Sequence, residues 1–210
     1  RIAKAADSFP LLAAPLFILM GNIMNSAGIT ERIFRFATVC VGWMRGGLCH
    51  ANIVASVFFA GTSGSAVADA GGLGTIEIKA MTDEGYSPDI AAAVTASSAT
   101  IGPIIPPSLP MIIYGVLASV SIGDMFVAGI VPGLLMGGLL MLTAVIISRR
   151  RGYRSETSVL EGETVQRALT DGFFSLLTPF VILGGIYLGI FTPVEAAVAA
   201  EHVVHDQEHQ

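Results

Sequence analysis

Lys, Arg, Asp and Glu make up only 13% of the 210 residues, and apolar residues 53%; soluble domains carry roughly 25% charge. That balance excludes a disordered chain and an ordinary water-soluble enzyme. At a formal net charge of −5 no basic patch dominates, so no nucleic-acid partner is expected. Five stretches carry no charge at all: 8–30, 46–68, 90–123, 125–148 and 172–194. Each is long enough to cross about 30 Å of hydrocarbon at about 1.5 Å per residue. The class that remains is a polytopic, all-α membrane protein.

In chain order, the first apolar run is a full spanning length, unlike the short core of a signal peptide. With no initiating Met, the chain is expected to begin inside a larger protein. Residues 29–43 set Arg32 and Arg35 among apolar neighbours. They are read either as a helix along the cytoplasmic interface or as a tight connector. Cys40 and Cys49 sit in apolar surroundings and are read as packing residues, with no disulfide framework.

Basic residues flanking spans stay cytoplasmic, so Arg149, Arg150, Arg151 and Arg154 place the end of the 125–148 span inside. Alternation then puts the acidic stretch 69–89 inside as well. This holds only if residues 46–80 form a re-entrant hairpin that enters and leaves by one face. The turn cluster Gly61-Thr62-Ser63-Gly64-Ser65 leaves two arms of about 16 residues, about 24 Å each. A turn at that depth is tolerated only where protein buries it or it lines a cavity. Asp69 ends a run of 23 uncharged residues. One account makes it an ion ligand in the membrane core; the other makes it the solubilising end of the arm.

The 90–123 stretch is interrupted by Gly102-Pro103-Ile104-Ile105-Pro106-Pro107-Ser108-Leu109-Pro110. Four prolines there cannot continue a helix, at about 3 kcal/mol each. Two half-helices are expected, 88–101 and 111–123, about 20 Å apiece, with the break near the bilayer midplane. Ser97, Ser98, Thr100 and Ser108 surround it. Discontinuous helices at that depth offer carbonyls to cations and helix N-termini to anions. A continuous span over 125–148, a cytoplasmic loop over 149–171 and a further span over 172–194 follow. Thr192 reads as the N-cap of a helix started by Pro193 and Glu195. His202, His205 and His209 lie in a polar tail read as solvated.

Motifs for catalysis fail. The 61–65 cluster lacks the last glycine of a nucleophile elbow and the lysine of a phosphate loop, and Gly72-Leu73-Gly74 lacks the third glycine of a dinucleotide fingerprint. No enzymatic activity and no cofactor are expected.

Several long runs resemble the large membrane subunit of tripartite ATP-independent periplasmic (TRAP) transporters. These are 61–70, 99–108, Met111-Ile112-Ile113-Tyr114-Gly115, 128–133 and 184–197; the likeness extends over about residues 9–200. The resemblance implies a multi-pass inner-membrane symporter of the DctM-like family. It would import organic acids of the C4-dicarboxylate or sialic-acid type, delivered by a periplasmic binding protein, and work beside a small membrane subunit. Sodium would be the coupling ion. Its fold would be the first inverted repeat of an ion-transporter-type elevator. A scaffold span and interfacial helix would occupy 8–45, and a transport domain 46–123, divided into hairpin 46–80 and broken helix 88–123. A second scaffold span would occupy 125–148. The second repeat would start at 172–200, and the tail 201–210 does not resemble the family. Carried onto matching positions, the resemblance nominates Ser63, Gly64, Ser65, Asp69, Ser98, Gly102 and Pro103 for sodium and Pro106, Pro107 and Ser108 for the substrate. Family members are about twice as long, so a non-transporting assembly module that binds only partner subunits is the alternative expectation.

Overall fold

The computed structural model describes Leu19 and residues 28–153, with side chains 61–63 left out. The first span, the 172–194 span, Thr192, Glu195, the three tail histidines and the 201–210 tail therefore lie outside the described residues. Within them every regular element is an α-helix: α1 Ile29–Val41, α2 Gly47–Ser63, α3 Ala66–Gly71, α4 Leu73–Asp83, α5 Pro88–Ala99, α6 Leu109–Ala118 and α7 Ile122–Arg151.

Helix α1 is amphipathic at helical spacing. Ile29, Ile33 and Ala37, with Thr30, Phe34 and Thr38 beside them, form its buried face against α2 and α4. Outward, Arg35 pairs with Glu31 at 3.0 Å across one turn. The apolar face of α1 is therefore covered by protein, and Arg32, Arg35 and Trp43 look outward, Trp43 at 69% exposure.

Helix α2 enters through Gly46 in the left-handed region (φ 72). A Cβ there would run into the Ser148 hydroxyl of α7. The start of α2 thus lies beside the end of α7. At the same end, Tyr86 stacks on Tyr153 with ring centroids 4.2 Å apart, and the Ser87 amide donates to the Tyr153 hydroxyl at 3.1 Å. The loop after α4 is thereby fixed where α2 began. The chain enters and leaves 46–84 at one end of α7, so this segment doubles back on itself.

The return arm was expected as one piece. It is two, because the Gly71-Gly72 pair, poor in helix propensity, ends α3, and α4 starts after Gly72 at ψ −79. The break in the following helix also differs from expectation. Pro110 lies inside the first turn of α6, where its missing N–H would have had no helical partner anyway. Helix α6 stops at Ala118 rather than at 123, since Ser119 turns left-handed (φ 56). Ser121 then accepts the Asp124 amide at 3.2 Å and caps α7. Helix α7 consequently runs from Ile122 through the arginine cluster, with Asp124 in its first turn and Arg149, Arg150 and Arg151 in its last, each favourable to the helix dipole.

By length and composition α7 is the one described helix that suffices to cross a membrane. Its two sides differ sharply. Val131, Leu134, Leu135, Leu139 and Leu142 are exposed, Val131 at 72%, a face suited to hydrocarbon. Opposite, Gly129, Gly133 and Gly137 recur every four residues and are buried. A Cβ on Gly129 would lie 2.5 Å from the Ile104 carbonyl oxygen, and one on Gly133 would overlap Ile105. The missing side chains let α7 approach closely, Gly129 and Gly133 against the proline break and Gly137 against Val57 of α2, as small residues do between membrane helices.

Candidate functional site

The hairpin turn and the proline break meet. Gly64 ends α2 in the left-handed region (φ 58), its amide donating to Ala60 at 3.2 Å. No side chain fits there, because a Cβ would strike the Pro107 carbonyl oxygen. In return the Leu109 amide donates to the Gly64 carbonyl at 3.3 Å, a backbone bond from the break to the tip. Ser65 caps α3, accepting the Ala68 amide at 3.4 Å.

Asp69 is 2% exposed. Burial removes the account in which it ends the arm in water. Its carboxylate presses on Gly102 of the break, where a Cβ would stand only 2.5 Å from Oδ2. Beyond Ala99 the chain tightens into short turns, with Ile101 and Gly102 donating to Ser98 and Ala99 at 2.9 and 3.1 Å. It then crosses a cis Pro106–Pro107 peptide. Ser108 closes the break, donating to the Pro103 carbonyl at 2.6 Å and accepting the Met111 amide at 3.3 Å as the cap of α6.

The sequence-nominated residues thus come together in two contacts: Gly64 with Pro107 and Leu109, and Asp69 with Gly102. Pro103 and Ser108 are joined to each other. Pro106, Pro107 and Ser108 are buried. The Ser63 side chain lies outside the described residues. Ser98 is buried on the last turn of α5, where its hydroxyl faces Asn52 of α2.

Three residues absent from the sequence reading complete the polar interior. Asn52 donates to the Thr95 hydroxyl at 2.7 Å and accepts from Ser98 at 2.7 Å. Glu77 of α4 is 1% exposed and lies within the field of Asp69. Both were signalled: Asn52 is the sole amide side chain in the uncharged 46–68 stretch, and Glu77 is the next acid after Asp69.

Electrostatically the junction has two poles. The C-terminal ends of α2 and α5 bring partial negative charge to it, and Asp69 adds a full one, an oxygen-only donor set of the kind hard cations take. The N-terminus of α6 brings partial positive charge, suited to a carboxylate. One meeting of helix ends thus presents partial charges of both signs.

Comparison with known proteins agrees with this architecture. The family model for the tripartite ATP-independent periplasmic transporter, DctM component, matches residues 1–204. A sialic acid TRAP transporter large permease protein of Vibrio cholerae is 52% identical over 194 residues, 92% of this chain and 45% of that protein. A sialic acid TRAP transporter permease protein of Haemophilus influenzae is 50% identical over 200 residues, 95% of this chain and 32% of its own length. A C4-dicarboxylate TRAP transporter large permease protein of Vibrio cholerae is 43% identical, covering 93% of this chain and 43% of that protein. The chain spans less than half the length of these relatives. With the family model covering nearly all of it, the chain belongs to the DctM family, the large permease component of TRAP transporters.

Proposed function

We propose that this chain forms one ion-binding half of a sodium-coupled importer of organic acids in the inner membrane. A periplasmic binding protein would deliver the substrate and a small membrane subunit would complete the transporter. One observation carries the reading: the Asp69 carboxylate, buried against Gly102, at the junction of hairpin tip and proline break. A carboxylate kept in a membrane core is most economically explained by a cation it serves. Relatives named for sialic acid and for C4-dicarboxylates point to carboxylate substrates. Pro106, Pro107 and Ser108 are their nominated neighbours beside the N-terminus of α6.

Coupling follows from charge. Each sodium ion moving through 100 mV releases about 2.3 kcal/mol; a monocarboxylate carried with two ions leaves one net charge, so the potential alone sustains a gradient of about fortyfold at about 1.4 kcal/mol per decade. In an elevator cycle, the parts in closest backbone contact travel together. Gly129 and Gly133 of α7 lie on the break, which favours α7 moving with hairpin and broken helix in place of the scaffold role expected for 125–148.

The test uses the full-length permease containing this chain, reconstituted with its small subunit and binding protein. Sialic acid uptake is followed against external sodium. Asp69→Asn and Ser63→Ala are expected to raise the sodium concentration for half-maximal uptake at least tenfold, and neither potassium nor choline is expected to support uptake in place of sodium. Unchanged sodium dependence in both variants would defeat the assignment.

A further inference from the structure

Three side chains from two helices form one buried polar chain: Asn52 on α2, and Thr95 and Ser98 on α5. Its hydrogen bonds have a determined direction. An amide nitrogen only donates, so the bond between Asn52 and Thr95 uses an Asn52 proton. The Thr95 oxygen, 2.7 Å from Asn52 Nδ2, is then the acceptor of an amide proton. That turns the Asn52 carbonyl, Oδ1, toward Ser98, whose hydroxyl donates to it at 2.7 Å. The other acceptor within reach of the Ser98 proton is the Thr95 carbonyl, at 3.0 Å. Both acceptors hold that proton on the side of α2 and the body of α5. No donor among the described residues reaches the Ser98 oxygen, so its lone pairs stay uncommitted. Ser98 stands one helical turn before Gly102, the residue on which the Asp69 carboxylate rests.

We propose that Asn52 and Thr95 are positioning residues for the cation site. Together they hold the Ser98 hydroxyl with its proton turned away and its lone pairs available as a ligand. Neither Asn52 nor Thr95 is itself assigned to the ion. The inference rests on the reading of Ser98 as a sodium ligand, and it adds a reason why that hydroxyl binds a cation instead of donating to a neighbour. It also gives the first arm of the hairpin, 12 residues before the tip, a part in ion affinity.

The experiment measures thermal unfolding of the chain in lipid nanodiscs, with sodium chloride replaced by choline chloride at constant ionic strength. Two quantities are read: the melting temperature in choline, and the sodium concentration giving half of the sodium-specific stabilisation. Asn52→Leu and Thr95→Val are expected to raise that half-saturation about tenfold, the equivalent of about 1.4 kcal/mol. Ser98→Ala should do at least as much. Thr95→Ser keeps the hydroxyl and restores sodium affinity. A purely structural role would lower the melting temperature in choline and leave the half-saturation where it was; that result for Asn52→Leu and Thr95→Val overturns the proposal. Should Asn52→Leu fail to fold, Thr95→Val set against Thr95→Ser decides alone. If Ser98→Ala weakens sodium and the other two variants do not, the positioning role fails and the sodium reading stands. Absence of any sodium-specific stabilisation in the unmodified chain overturns both.

Discussion

Replacing Gly64 by Ala tests the contact between tip and break directly. Two costs combine at this position. At φ 58 an alanine pays the left-handed penalty of about 1–2 kcal/mol. Its Cβ would also meet the Pro107 carbonyl oxygen and stand 3.2 Å from the Leu109 amide nitrogen. Both neighbours are backbone, so relief requires the break itself to shift, an overpacking cost of about 1–3 kcal/mol. The sum is about 2–5 kcal/mol. Gly85 supplies the control, since it is also left-handed (φ 85) and a Cβ there meets nothing within 4 Å among the described residues. Gly85→Ala therefore bears the backbone cost alone. For a chain of this size about 1 kcal/mol moves the melting temperature by roughly 2–4 °C. Gly64→Ala is expected to melt lower than Gly85→Ala by about 2–12 °C in nanodiscs, followed by the fluorescence of Trp43. Equal melting temperatures would mean that the tip does not bear on the break, and the site drawn from their junction would fall with it.

Two further outcomes are expected. Gly133→Leu forces a side chain into Ile105, whereas Gly138 has open space around its Cβ; the first should lose about 1–3 kcal/mol and Gly138→Leu stay within about 0.5 kcal/mol, both measured by nanodisc melting, and equal effects would refute the glycine contact. Cys40 is exposed and Cys49 buried, so a membrane-impermeant maleimide should label Cys40 in inverted vesicles, not in right-side-out cells, and leave Cys49 unreacted; labelling from the periplasmic side would reverse the orientation read from the arginines.

The hairpin and the break were legible because Gly and Pro act locally. Gly64 lies in a cluster of turn formers and three prolines crowd 103–107, whereas the lone Pro132 sits inside α7 without ending it. Asp69 was legible through rarity, one acid after a long uncharged run. The α3–α4 break and the early end of α6 were less so: a Gly pair only weakens a helix, and Ser119 gives little sign of adopting φ 56. The network of Asn52, Thr95 and Ser98 was beyond local reading, because Asn52 and Thr95 are 43 residues apart and become neighbours only when α2 packs on α5. The Gly129, Gly133 and Gly137 column lay in plain view at helical spacing. What Gly129 rests on, the carbonyl of Ile104, belongs to a segment whose course sequence periodicity does not describe.

Both ends of the hairpin are fastened at one end of α7, by Gly46 against Ser148 and by Tyr86 on Tyr153. The tip, 17 residues of α2 away, meets the break through the backbone bond from Leu109 and through close packing. Mechanically this is a beam clamped at its root and lightly propped at its free end. Rotation by 10° about the root sweeps the tip through about 4–5 Å over a beam of about 26 Å, more than the length of the prop. A displacement of that size would part the Leu109–Gly64 bond while the contacts at the root persist.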